Sequence, residues 1–267
     1  MKIITGMHRS GTSMTANLLM EIAKQADPSD KKIQSDQWNQ KGYFENIEVV
    51  VLNNTILLGK YAPSSQLIRD PGIKNKKFKK AILGIANLRY LLVLLDPNFI
   101  DRAALKHKNE IAAISNKYHN NIVKDPRFSL LLDSWQKWGT IQKTLVCFRD
   151  PKEVAESLKT RNHLPLHIGY WLWKFHNSRL LQSIENCKTS QVTVIQYNNF
   201  FDPQKKEGEI QRLYSFLDIP FDAKHAKILL ENVLDANLKH HTNGQVTYPE
   251  DINNILDKLI LLHERTA

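Results

Sequence analysis

The chain lacks any apolar stretch near the roughly 18 residues that a membrane-crossing helix needs. Its best run, Leu88 to Leu95, is broken by Arg89 and ends at Asp96. Only two cysteines occur, Cys147 and Cys187. They fit plain thiols in a reducing compartment better than a disulfide framework. The ten histidines are scattered. His163 and His167 stand four apart, but Pro165 lies between them and no glutamate follows His163, so the pattern of a helical zinc pair is missing. No metal is expected, and a structural or surface role suits both. Met1-Lys2-Ile3-Ile4-Thr5 is too short for a signal peptide, so a cytoplasmic protein is expected. No internal repeat and no Pro/Gly/Ser linker is present, so residues 1–267 are expected to form one domain.

What is present is ordinary globular material, 42% hydrophobic and 24% charged over 267 residues. That composition excludes a disordered or collagen-like chain. Lysine plus arginine number 37 against 27 aspartate plus glutamate, a formal charge of +10. Such a surface attracts anions, small or polymeric. The densest basic run is Lys74, Lys76, Lys77, Lys79 and Lys80 around Phe78. No aromatic-rich RNA module or zinc finger accompanies it, so a solvated helix face is expected there and no nucleic-acid partner.

Apolar or β-branched runs predict strands at Lys2–Thr5, Asn121–Lys124, Thr144–Arg149 and Gln191–Gln196. Helical periodicity predicts helices at Met14–Lys24, Glu45–Leu58, Ile100–Tyr118, Arg127–Trp138, Pro151–Thr160, Leu166–Ile184 and Asp251–Arg265. Strands alternating with helices imply an α/β fold, a central parallel sheet flanked by helices. Ligands in such sheets bind beyond the carboxyl ends of the strands.

Two segments carry chemistry. Gly6-Met7-His8-Arg9-Ser10-Gly11-Thr12-Ser13 follows the first strand and opens a helix. Its two glycines allow backbone N–H groups to turn inward, and the helix adds its positive end, as in a phosphate-binding loop. A nucleotide kinase would place lysine at position 12, where Thr12 stands; the cation is Arg9, inside the loop. The Leu91–Asp96 run, ending in Asp96 before Pro97, has the outline of a metal-holding strand but reads more simply as a buried segment ending at a turn. The second segment runs from Thr144 into Arg149-Asp150-Pro151 and a helix. Asp150 suits the N-cap and Pro151 the first helical position. Arg149 and Ser157, about two helical turns on, suit a phosphate.

Together these residues resemble the PAPS-dependent sulfotransferases, where PAPS is 3′-phosphoadenosine 5′-phosphosulfate. The likeness is closest to bacterial-type members opening Gly-Met-His-Arg-Ser-Gly-Thr-Ser. It extends through Gly42-Tyr43-Phe44-Glu45-Asn46 and Val123-Lys124-Asp125-Pro126-Arg127, and weakly to Tyr197-Asn198-Asn199-Phe200. The resemblance implies a P-loop-containing nucleotide-binding fold. It implies that Arg9, Ser10, Gly11, Thr12 and Ser13 hold the 5′-phosphosulfate, that Arg149 and Ser157 hold the 3′-phosphate, and that Tyr197 belongs to the same nucleotide site. It implies transfer of a sulfuryl group from PAPS to a hydroxyl or amine, leaving PAP, without a metal. Many cytosolic members carry Pro-Lys where this chain has His8-Arg9, and acidic residues where Asn198 and Asn199 stand.

Sulfuryl transfer needs position, charge stabilisation and, for an alcohol acceptor, a base. Arg9 supplies charge but does not readily release a proton. Glu45, expected to open a helix, is the favoured base, and His8 in the loop is the runner-up. Lys124 and Arg127 follow a strand end and could steady transferred charge or bind the acceptor; a helix-start role for Asp125-Pro126-Arg127 is the alternative. The acceptor is expected to be a small molecule or glycan, and Trp38, Tyr43, Trp171 and Trp173 could stack on sugar rings or simply fill the core. A P-loop kinase acting on a small molecule or sugar is the second reading, and a non-catalytic polyanion-binding module the third.

Overall fold

The structure is a computed structural model that describes residues 1–23, 45–59, 62, 97–185, 191–233 and 247–266. The Lys74–Lys80 run, the Leu91–Asp96 run, Trp38, the Gly42-Tyr43-Phe44 turn and Cys187 lie outside the described residues.

Four strands form one sheet: β1 (Lys2–Thr5), β2 (Ile122–Lys124), β3 (Lys143–Phe148) and β4 (Val192–Gln196). Their order is β2-β1-β3-β4, and every pairing is parallel. Side chains alternate across the pleat, so each strand feeds two cores. Ile3, Val123, Val146, Phe148, Val192 and Val194 enter one. Ile4, Ile122, Leu145, Cys147 and Ile195 enter the other. Burial on both faces explains why these strands read as continuous apolar runs.

Among the described residues the helices are α1 (Thr12–Ala23), α2 (Ile47–Leu58), α3 (Pro97–Lys106), α4 (Lys108–Lys117), α5 (Phe128–Trp138), α6 (Pro151–Asn162), α7 (Leu166–Glu185), α8 (Lys206–Leu217), α9 (Ala223–Val233) and α10 (Glu250–Arg265). A 3₁₀ turn, Tyr197–Phe201, follows β4. α1, α8 and α9 cover one face through residues such as Leu18, Leu213 and Leu229. α2 to α7 and α10 cover the other through residues such as Val49, Leu131, Val154, Leu180 and Leu259.

The chain leaves β1 into α1 on one face and leaves β3 into α6 on the other. Adjacent strands whose connections depart to opposite faces open a crevice between their carboxyl ends, the usual ligand position in such sheets. Gly6 lies in that crevice. A Cβ built on it would come within 2.2 Å of the Cys147 carbonyl oxygen, and its φ of 147° suits glycine.

Two expectations need correction. The helix expected over Ile100–Tyr118 is two helices, broken at His107, whose φ of −110° and ψ of 19° leave the helical region. Both halves pack on α5. Glu45 does not open α2. Asn46 is the N-cap, its Oδ1 accepting from the Glu48 and Val49 amides at 2.9 and 3.3 Å, and Glu45 lies outside the helix, bridged to Lys124 beside β2.

Candidate active site

The carboxyl ends of all four strands deliver site residues: Gly6 after β1, Lys124 at the end of β2, Arg149 after β3 and Tyr197 after β4. The loop after β1 turns back through left-handed backbone at Arg9, φ 74°, and Gly11, φ 87°. Such a conformation costs a non-glycine residue about 1–2 kcal/mol, which the surroundings of Arg9 must offset. Gly11 has a second reason to be glycine. A Cβ there would stand 2.0 Å from Cδ2 of Tyr197, so the tyrosine ring occupies the space a side chain would need. The hydroxyl of Ser10 is buried and has no hydrogen-bond partner among the described residues. A hydroxyl buried in a loop of this type keeps a hydrogen to donate to an acceptor that enters the loop.

The two anion motifs meet directly. Nε of Arg9 donates to Oγ of Ser157 at 2.7 Å. Arg149, buried, stacks over the Tyr197 ring with its guanidinium 4.5 Å from the ring centre. Its Nε donates to Oε2 of Glu153 at 2.6 Å, and Nη1 reaches the Arg9 carbonyl at 3.5 Å. Asp150 caps α6 by accepting from the Lys152 and Glu153 amides, as its position before Pro151 requires. The Tyr248 hydroxyl also donates to the Asp150 carboxylate, at 2.8 and 2.7 Å from its two oxygens. Burial first, then the hydrogen bond to Asp150 and the Asp150 charge, push the Tyr248 phenol far above its ordinary range, so it stays a donor.

On the β2 side lies a buried cluster of two cations and two anions. Lys124, only 1% exposed, donates through Nζ to Oε1 of Glu45 at 2.7 Å and to Oγ of Ser13 at 3.2 Å. Arg127 Nη1 contacts Oδ1 of Asp125 at 2.9 Å and Oε2 of Glu45 at 3.4 Å, while its Nε donates to Asn54 at 2.8 Å. Asp125 also accepts from Asn53 at 2.9 Å. Among the described residues the charges of this cluster balance, which favours burying them together. Burial alone raises the Glu45 pKa, but Lys124 and Arg127 outweigh it and hold the carboxyl below its usual range. Asp125 does not cap α5, whose N-cap is Arg127 without a side-chain cap bond; its Oδ1 accepts from the Arg127 amide at 2.9 Å in the turn before the helix.

His8 belongs to the loop after β1, within reach of the charges of Lys124 and Arg127. Burial, then the charges of Arg127, His176, Lys124 and Arg161, depress its pKa well below the ordinary value, so the ring is neutral at pH 7. The His176 ring meets it edge-on, with centroids 6.4 Å apart. Burial holds His176 at about 3, and Ser129 Oγ lies 2.7 Å from its Nδ1.

The sulfotransferase domain family matches residues 2–255. The chain belongs to that family. Sulfotransferases transfer a sulfuryl group, and the family's donor is PAPS. No curated protein matches the sequence. Among solved structures, the chain is similar to the sulfotransferase domain from the curacin biosynthetic pathway, at 13% identity and TM-score 0.49, covering 97% of this chain and 96% of that one. It is also similar to the sulfotransferase STF9 from Mycobacterium avium, at 16% identity and TM-score 0.39, covering 98% of this chain and 74% of the other. A third is STF1 from Mycobacterium tuberculosis H37Rv, at 10% identity and TM-score 0.45, covering all of this chain and 76% of the other.

In this sulfotransferase the fold thus gathers Arg9, Ser10, Gly11, Thr12, Ser13, Arg149, Ser157 and Tyr197 at one crevice, with His8, Glu45, Lys124 and Arg127 beside it. Trp173 is not a sugar platform. It is fully buried, and its Nε1 donates to the Arg149 carbonyl at 3.0 Å. Trp171 lies half-buried against Phe175. His163 and His167 are exposed, in keeping with a surface role. Cys147 is buried, which pushes its thiol up to about 12 and makes it a poor nucleophile. Among the described residues no group of histidine, cysteine and carboxylates could hold a metal ion, and no helix is long and apolar enough to cross a membrane.

The sequence reading missed Asn53, Asn54, Glu153 and His176. One signal was available for the asparagines. Asn53-Asn54 interrupts an otherwise apolar helix, where asparagine is a poor helix former, and the pair serves Asp125, Arg127 and Trp135.

Proposed function

We propose that this sulfotransferase binds PAPS across the β1–β3 crevice and passes the sulfuryl group to a hydroxyl or amine of a small molecule or glycan, releasing PAP. The observation that carries this reading is the 2.7 Å contact of Arg9 with Ser157, which joins the phosphosulfate loop to the Arg149 anion motif in one site. A nucleotide charged at two separate points fits that pair better than one carrying a single polyphosphate. The loop amides, Ser10 and Thr12 would hold the 5′-phosphate, and Arg9 would stabilise the bridging oxygen by charge. Arg149 and Ser157 would take the 3′-phosphate, with Tyr197 beneath.

In the transfer the acceptor oxygen forms a bond to sulfur, the bond from sulfur to the 5′-phosphate oxygen breaks, and the acceptor proton passes to a base. His8 is the base this reading favours: it is neutral at pH 7 and lies in the loop. Glu45 has both carboxylate oxygens engaged, Oε1 by Lys124 and Oε2 by Arg127, which makes it the anchor of those cations. In this reading Lys124, against Ser13, would steady the charge on the sulfuryl oxygens.

The test is thermal protection. PAP without metal should raise the melting temperature more than ATP with magnesium at equal concentration. Equal or greater protection by ATP and magnesium would overturn the PAPS assignment.

A further inference from the structure

Arg149 is placed by its neighbours in a way that one residue controls. Its guanidinium has two edges. Nη1 faces the Arg9 carbonyl. The other edge carries Nε and Nη2 side by side, the pair that a carboxylate takes as a fork. Glu153 stands on that edge but uses one oxygen: Oε2 accepts from Nε at 2.6 Å. Its other oxygen, Oε1, accepts from Nδ2 of Asn198 at 2.8 Å. Among the described residues nothing hydrogen-bonds Nη2 of Arg149.

From this geometry we infer that Asn198 is a positioning residue for nucleotide binding: by holding Oε1 of Glu153, it prevents Glu153 from gripping Arg149 with both oxygens and keeps Nη2 for the anion. The inference rests on the reading of Arg149 as a phosphate contact. Three features support it. Glu153 and Arg149 are both buried, so little water is present to compete for the fork. The amide turns its nitrogen to the carboxylate and leaves its own Oδ1 buried without a partner among the described residues. An asparagine in that orientation serves the carboxylate at the expense of its own acceptor. An acidic residue at 198 could not do the same work, because two carboxylates facing each other repel. Asn199 repeats the device one residue on, donating to the buried Glu209 at 2.7 Å. The pair of asparagines after Tyr197 thus sets two buried glutamates, of which Glu153 belongs to the anion site.

The experiment is a double-mutant cycle read by PAP titration, with Asn198→Ala, Glu153→Gln and the pair. Asn198→Ala releases Oε1, and the PAP dissociation constant should rise by roughly tenfold, the loss of one charge-assisted hydrogen bond. The KM for PAPS should rise by a similar factor, with a smaller change in kcat. In the Glu153→Gln background there is no carboxylate to close the fork, so adding Asn198→Ala should change PAP affinity less than twofold. A merely structural role for Asn198 would cost the same in both backgrounds, and that outcome overturns the inference. So does unchanged affinity in Asn198→Ala. Arg149→Ala separates the two levels. If it leaves PAP affinity unchanged in a folded protein, the phosphate role of Arg149 fails; if it weakens PAP while Asn198→Ala does not, only the role of Asn198 fails. Melting curves confirm that each variant is folded.

Discussion

His8 and Glu45 show how a residue's neighbours decide its chemistry. Both were visible as candidate bases from position alone. Their order changes once Glu45 is seen between Lys124 and Arg127, partners that approach it from β2 and the turn after it. His8→Ala should lower turnover by about 10²–10⁴ while PAPS binding persists. The same assay on the intact enzyme should show a rate that is flat from pH 6 to 8. The reason is the sign of the shift: a base active when neutral loses activity only as pH falls through its pKa, and that pKa lies well below 6.5. Glu45→Gln should act on stability instead. Removing one partner from a buried ion cluster costs on the order of 3 kcal/mol, with turnover per folded molecule falling far less than in His8→Ala, by the loosening of Lys124 alone. Labelled PAPS with a panel of sugars, phenols and amines measures both variants. A Glu45→Gln enzyme of normal stability and crippled turnover would return the base to Glu45. The loop and the Arg-Asp-Pro turn were legible because their spacing is local. The partners of Glu153 and Glu45 were not, since Asn198 and Lys124 reach them across 45 and 79 positions of sequence.

At the level of elements, α6 is the best-defined unit in the chain. Asp150 and Pro151 fix its start, and both were readable in advance. Its end was less so. His163 closes the helix in the left-handed region, φ 56° and ψ 29°, with its amide bonded to the Lys159 carbonyl at 3.0 Å. That is a position glycine takes without strain. His163 is exposed and far along the helix from Arg149, so His163→Gly should raise stability by about 0.5–1 kcal/mol without loss of PAP affinity. Urea unfolding measures the first and PAP titration the second; a destabilised variant would mean that the histidine ring supports the turn. α8 and α9 illustrate what periodicity can reveal when it is sought. Ile210, Leu213, Tyr214 and Leu217 recur at helical spacing and are all buried, as an amphipathic helix demands. The break at His107 had no such mark. No proline or glycine in residues 100–118 signals the break.

For the molecule as a whole, the legible part is the alternation that builds a parallel sheet and places function at its carboxyl edge. The hidden part is how distant segments interlock there. The chain from 247 onward is a case in point. Tyr248 holds the cap of α6, Asp251 pairs with Lys174 at 2.5 Å, and Arg212 donates to the His263 carbonyl at 2.8 Å. Ile252 and Leu259 complete one of the two cores.

Gly11 and the ring of Tyr197 carry a kinetic consequence. The loop after β1 cannot reach its final shape until β4 has docked and brought the ring beneath it, although the loop's own residues are contiguous. Closing a contact 186 positions apart is slow compared with folding a turn. Nucleotide binding should therefore be the last property to return on refolding, later than helical circular dichroism. Hydrogen exchange should show the same coupling in reverse, with the amides near Gly11 protected as long as β4 is and opening together with it. A loop that exchanges freely while β4 stays protected would mean that the ring is only a neighbour. If the coupling holds, PAP binding reports whether the far edge of the sheet is assembled, and the site doubles as a sensor of the chain's own completion.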